Sequence, residues 1–291
     1  TTHTDGQIVV RQLANGLTVA AERLPYLRSV SAGLWIRTGS AQERPEESGL
    51  AHFLEHLFFK GTATRSVREL MEAVEGRGGQ LNAFTSREYT CLFVRTLDKH
   101  LHEALEILAD IARNSTFAEL EKERNVILEE IVSIEDMPDE HVHDVLSEFH
   151  WPGHPLGRPI SGSLDSVTAL TREDIVDFYQ RWYRPSEMFF CIAGNFDEQA
   201  VFDQVGGEFA SLEPAGMPGL AGPPEFHAGA LHVARDISQV HFCLGFPGLQ
   251  RRADQRFACD LTSNILGGGS TSRLFERIRE DEGLAYAVYT F

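Results

Sequence analysis

Cysteine is scarce in this chain. Four residues in 291 (Cys91, Cys191, Cys243 and Cys259) lie far apart, with no CxxC pair among them. That spacing excludes a disulfide framework and a cysteine-built zinc site. The thiols sit mostly in apolar runs such as Phe189-Phe190-Cys191-Ile192, which reads as small buried hydrophobes in a reducing compartment. Long apolar runs are missing too, and nothing approaches the ~20 residues of a membrane-spanning helix. Positive charge is outweighed, 26 basic against 43 acidic residues for a net charge of −17. The balance speaks against nucleic acid or an anionic membrane as partner and is compatible with a basic peptide. The opening Thr1-Thr2-His3-Thr4-Asp5-Gly6 has no basic n-region and no apolar core, so no signal peptide is visible. It also has no initiator Met, and we expect a segment to have been removed ahead of it.

What remains is ordinary globular material, 42% hydrophobic and 24% charged. At ~150 residues per domain the length suggests two domains. Asn15-Gly16 between the apolar stretches 8–13 and 17–21 predicts a hairpin, and 30–36 a further strand. Ser66-Val67-Arg68-Glu69 is a capping box opening a helix. Strand and turn material follows over 80–94, then helices near 98–113, 118–136 and 138–149. Thr171 caps another helix; a buried strand at 188–193 and a helix after Asp197 complete the first module. Residues 213–225 are too rich in Pro and Gly for regular structure and read as a linker between a domain at 1–212 and one beginning at 226. Strands are expected there near 229–236, 239–246 and 285–291, with helices near 253–266 and 271–281. The second module is lopsided beside the first, and we expect the working protein to be longer. Strands and helices come in blocks, which favours an α+β fold over a doubly wound parallel sheet.

The most informative residues are His52-Phe53-Leu54-Glu55-His56. On a helix, two histidines four apart lie ~40° apart and Glu55 falls ~60° to the other side of His52, at ~100° per residue. All three therefore share one stripe. Two neutral imidazoles on such a stripe can hold zinc beside a carboxylate that handles protons, in the inverted H-x-x-E-H order. Taken alone, five residues leave open a chance pair of histidines near a glutamate.

Catalytic zinc usually takes a third protein ligand. In the segment 119–137, Val126, Ile127, Ile131 and Ile134 predict an apolar face, and Glu123 and Glu130, seven apart, fall on it. Glu129 points to the polar side. Two carboxylates in an apolar stripe are costly to desolvate without a cation or donors. They could pair with buried Arg or backbone N–H groups, or with a metal. On the metal reading Glu130 is the ligand, and Glu123 orients a ligand or stands in when the metal shifts. Gly267-Gly268-Gly269 lacks the Lys-Ser/Thr ending of a phosphate loop and reads as a turn or hinge.

Several runs resemble the pitrilysin-type inverzincin peptidases, in the short-chain branch with the mitochondrial processing peptidase β subunit and its bacterial homologues. They are the segment His52 to Thr62, Gly78-Gly79-Gln80-Leu81-Asn82-Ala83-Phe84-Thr85, Glu123 to Glu130, Ala193-Gly194-Asn195, Leu266 to Phe275, and Arg277 to Tyr286. The resemblance implies two modules of similar type, each a mostly antiparallel sheet with packed helices, the second cut short here. It implies a zinc endopeptidase with His52, His56 and Glu130 as ligands, Glu55 as general base and Glu123 as supporting carboxylate. Asn82, Ala83 and Phe84 match the sheet edge that takes the substrate as an added strand. Arg279 and Tyr286 match a pair that binds substrate and steadies the tetrahedral intermediate. The implied partners are an unfolded peptide and a second subunit, in a homodimer or a heterodimer with a homologous chain. The implied location is the cytoplasm, or the mitochondrial matrix in a eukaryote. Relatives that keep the fold without the zinc motif act as non-catalytic core subunits, and a module that holds peptides without cutting them is a third reading. Every zinc-site position is filled here.

Overall fold

The structure, a computed structural model, describes residues 7–213 and 221–291. Most of the expected linker lies outside those residues. The hairpin forms as anticipated. β1 (Ile8–Gln12) pairs antiparallel with β2 (Thr18–Arg23), and Gly16 takes the corner at φ +95°, a region only glycine enters without strain. Then come β3 (Ser29–Ile36), α1 (Leu50–Phe58), α2 (Val67–Val74), β4 (Gln80–Thr85) and β5 (Thr90–Leu97). They are followed by α3 (Leu101–Asn114), α4 (Leu120–Asp136), α5 (Pro138–His150), α6 (Leu164–Ala169), α7 (Arg172–Trp182), β6 (Met188–Gly194) and α8 (Glu198–Glu208). The Ser66 and Thr171 capping boxes are both made, and the Asp197 side chain accepts from Ala200 N–H to start α8. The short α6 has no counterpart in the sequence reading.

Among the described residues the strands form one six-stranded sheet in the order β1-β2-β6-β3-β5-β4. Only β2–β6 is parallel. This is the expected α+β architecture. Alternation on β3 and β6 turns Val30, Ala32, Leu34, Ile36, Met188, Phe190 and Ile192 toward the helices, each at most 3% exposed. Phe53, Leu54, Leu57 and Phe58 of α1 join them in one core. The opposite sheet face is open, and Cys191 lies on it. Of the four cysteines expected to be buried only Cys91 is; Cys191 and Cys259 are exposed and Cys243 is intermediate. The period of two, not the local hydrophobicity, decides the matter for Cys191.

By contacts the chain forms two units, 1–243 and 244–291. Residues 226–243 belong to the first. Phe226 stacks on His150 of α5 with centroids 4.4 Å apart, and His227 N–H donates to the His150 carbonyl at 2.8 Å. The strands expected near 229–236, 239–246 and 285–291 are not formed. A strand needs a neighbour to satisfy its ladder, and none lies beside these mostly exposed residues. The second unit contains α9 (Arg256–Gly267) and a π-helical segment, Phe275–Asp281, where helices were expected.

Candidate metal centre

The helix that carries the histidines has an unusual start. Gly49 is its N-cap at φ +92°, and a Cβ there would meet the Ser161 carbonyl oxygen at 2.6 Å. Glycine has no side chain to cap with. The buried Glu43 does so from the preceding loop, accepting from Gly49 N–H at 3.0 Å and Ala51 N–H at 2.7 Å. Burial pushes the Glu43 carboxyl up to about 8, against the opposing pull of the two amides and Arg158. Leu50, Ala51, Phe53, Leu54, Leu57 and Phe58 then bury one face of α1. His52, Glu55 and His56 are left together on the partly open stripe, as their spacing predicted.

The facing helix is α4. Its buried residues are Glu123, Arg124, Ile127 and Ile131, while Val126, expected on that face, is 46% exposed. The face is therefore turned toward Arg124 by part of a turn. The guanidinium fits there because it donates to the carbonyls of Val167 and Leu170 at the end of α6. The two glutamates consequently differ. Glu123 is 3% exposed, and Glu130 stands at the border of the face with 41% of its side chain accessible. Glu129 is exposed, as expected.

Glu130 meets both histidines. Its Oε1 is 3.7 Å from His52 Nε2 and its Oε2 is 3.7 Å from His56 Nε2. One ligand atom from each of the three lies within 4.8 Å of the others, the one group of three or more metal-type donors found among the described residues. A tetrahedral zinc with bonds of ~2.0–2.2 Å would separate its donors by about 3.3 Å; Glu130 is near that spacing from each histidine, while the ligand atoms of the two histidines lie within 4.8 Å of each other. The donor set, two imidazoles and a carboxylate, is that of a catalytic zinc site with one position left for water. Burial, then the neighbouring His56, lowers the pKa of His52 to about 4, which keeps it neutral and able to ligate. Its Nδ1 is buried and makes no hydrogen bond.

Glu55 is mostly buried beside the histidines, and burial raises its pKa. The neighbouring Thr85 and His56 pull the other way, and the Thr85 hydroxyl is 3.5 Å from the Ala51 carbonyl oxygen. Glu123 touches His56 rather than the shared space, with its Oε2 3.4 Å from His56 Nδ1. The other oxygen of Glu123 is 2.8 Å from Lys60 Nζ. Three residues that serve this site, Glu43, Lys60 and Thr85, were not singled out from sequence. Buried carboxylates after a turn, or a lysine just past a helix end, carry no periodic signal.

Asn82, Ala83 and Phe84 lie on β4, an outer strand of the sheet that packs beside α1. Asn82 is exposed and its Oδ1 accepts from Ala83 N–H, while Phe84 packs edge-on against Trp35. Arg279 and Tyr286 belong to the second unit. There the guanidinium lies 4.9 Å from the centroid of the Tyr286 ring, and Tyr286 is 82% exposed.

Residues 18–163 match the family described as insulinase, peptidase family M16, and residues 169–291 match the peptidase M16 inactive domain. The chain belongs to peptidase family M16. It is 43% identical over 279 residues to the uncharacterized zinc protease YmxG of Bacillus subtilis, covering 95% of this chain and 68% of that one. It is 40% identical to the uncharacterized zinc protease SCO5738 of Streptomyces coelicolor, covering 99% of this chain and 65% of the relative. This M16 chain thus spans about two thirds of the length of the relatives it matches. A protease from Helicobacter pylori shares the fold, with a TM-score of 0.84 at 23% identity over 98% of this chain and 71% of that one. YmxG and SCO5738 are both named zinc proteases.

Proposed function

We propose that this chain carries the metal site of an endopeptidase that hydrolyses extended, unfolded peptides. The observation that carries the reading is the meeting of His52 Nε2, His56 Nε2 and the Glu130 carboxylate beside a partly buried Glu55. His52, His56 and Glu130 would hold zinc there, which would supply Lewis acidity for activating water.

The rest falls to the chain. Glu55 takes the proton of the attacking water, for which a carboxyl raised by burial is suited. It then delivers that proton to the leaving amine. Thr85 lies beside Glu55 and lowers its basicity, and Glu123 fixes the ring of His56. The peptide lies along β4 at Asn82, Ala83 and Phe84 through main-chain hydrogen bonds, a mode that admits only extended chains. The resemblance supports Tyr286 and Arg279 as a pair that steadies the oxyanion and binds substrate at a partner's metal centre. The resemblance to two-chain peptidases supports a pair of subunits, homodimeric or with a homologous partner, in which that Arg/Tyr pair serves a neighbour's site. The charge of −17 supports basic, presequence-like peptides as substrates. Free cysteines support a reducing location such as the cytoplasm.

The test is metal content together with cleavage of an unfolded basic peptide, with and without a chelator, in the full-length protein. Stoichiometric zinc and chelator-sensitive cleavage are expected. Tightly held zinc without cleavage would favour a subunit that holds peptides, and no restorable metal would end the peptidase reading.

A further inference from the structure

Lys60 lies just past the C-terminal end of α1, its amide closing the helix by donating to the Leu57 carbonyl at 3.1 Å. Its side chain reaches across to α4, where Nζ is 2.8 Å from Glu123 Oε1. Glu123 is 3% exposed and presents its second oxygen to His56 Nδ1 at 3.4 Å. A carboxylate so buried needs a partner on each oxygen. Other cations near it are committed elsewhere. Arg124 donates to the carbonyls of Val167, Thr168 and Leu170 and to Glu121, and Lys122 pairs with Glu119.

We infer that Lys60 is a positioning residue of the metal centre. Its ammonium holds one oxygen of Glu123, so that the other accepts the Nδ1–H of His56 and leaves His56 Nε2 bare, facing Glu130. The chain Lys60–Glu123–His56 thus selects a tautomer and a ring orientation from one residue beyond the ligand's own partner. It also cancels the charge of Glu123, so that the ion meets the charge of Glu130 rather than of two carboxylates. The inference rests on the zinc reading of the same site.

The experiment measures zinc affinity by competition with a chromophoric chelator, with folding followed by circular dichroism. Lys60→Met is expected to bind zinc ~10–100-fold more weakly than wild type while remaining folded, the usual cost of losing an outer partner of a metal ligand. Lys60→Arg, which keeps the charge, is expected to recover most of the loss. In a Glu123→Gln background Lys60→Met should have no further effect, because the relay is already cut. Should Lys60→Met fail to fold, the Glu123→Gln/Lys60→Met chain, with no unpaired buried charge, replaces it. Lys60→Gln, whose amide can still donate to Glu123, is then measured alone as well: a loss of ~10-fold or more that vanishes in the Glu123→Gln background supports the relay, and wild-type affinity in Lys60→Gln or a further tenfold loss in the double variant overturns it. Wild type that holds zinc beside a folded Lys60→Met of unchanged affinity would overturn the Lys60 role alone. A wild type that holds no zinc would overturn both this role and the peptidase reading.

Discussion

Glu43 accepts the amide of Ala51 at 2.7 Å, one residue ahead of His52. A loop carboxyl group therefore anchors the first turn of the helix that bears the histidines, in place of the side chain that Gly49 lacks. Glu43→Ala leaves two buried N–H groups without acceptors, at ~1–3 kcal/mol each. We expect a loss of about 2–6 kcal/mol in denaturant unfolding of the metal-free chain, and weaker zinc binding in the folded fraction. Unchanged stability would mean that water replaces the cap.

Glu55→Gln keeps the size of the side chain and removes its basicity. Zinc content should stay stoichiometric while kcat falls by ~10²–10⁴-fold, the range of general acid–base catalysis. Turnover near the wild-type rate would take Glu55 out of the base role.

Glu130→Gln and Glu129→Gln remove equal charge from adjacent positions of α4. Only Glu130 approaches the imidazoles, and Glu129 is exposed. Zinc affinity should drop by ~100-fold or more for the first and hardly at all for the second, since losing a ligand costs no less than losing its partner. Equal effects would show that net charge, not ligation, sets the affinity.

His52 is held below its ordinary pKa, at about 4. In the metal-free protein the unfolded chain therefore binds a proton that the folded chain refuses between about 6.5 and 4. Its contribution is intact above the unfolded value and is lost as pH falls through that window, by at most ~1.4 kcal/mol per pH unit. Glu43 and Glu55, both raised, act in the opposite sense. The measurable quantity is thus the difference between metal-free wild type and His52→Gln, which should narrow as the solution is acidified from pH 7 to pH 4 (roughly the window of the two pKa values). A constant difference would contradict the burial of the ring.

Tyr286→Phe removes one hydroxyl from an exposed ring stacked with Arg279. In the full-length enzyme kcat should fall by ~10²-fold with KM little changed, as for loss of an oxyanion donor. An unchanged kcat would leave Tyr286 a packing role.

The metal stripe was legible because helix geometry alone places His52, Glu55 and His56 together. Glu130 was legible from its seven-residue spacing to Glu123, although the exposed Val126 shows the face to be rotated toward Arg124. What makes that rotation possible is a set of carbonyls at the end of α6, a six-residue helix too short to leave a periodic trace. Lys60 and Glu43 act across folded space, and spacing carries no record of such contacts. The apolar alternation over 229–246 was real, but alternation makes a strand only where a neighbour pairs with it.

If the peptide lies along β4 as proposed, the strand would also act as a ruler. Its six residues span ~20 Å, and only alternate ones turn their amide and carbonyl outward. A guest strand lying there would find about three anchoring positions and no more. Residues of a long polypeptide beyond that stretch would hang free, so the length of a guest would matter far less than having one short stretch able to straighten.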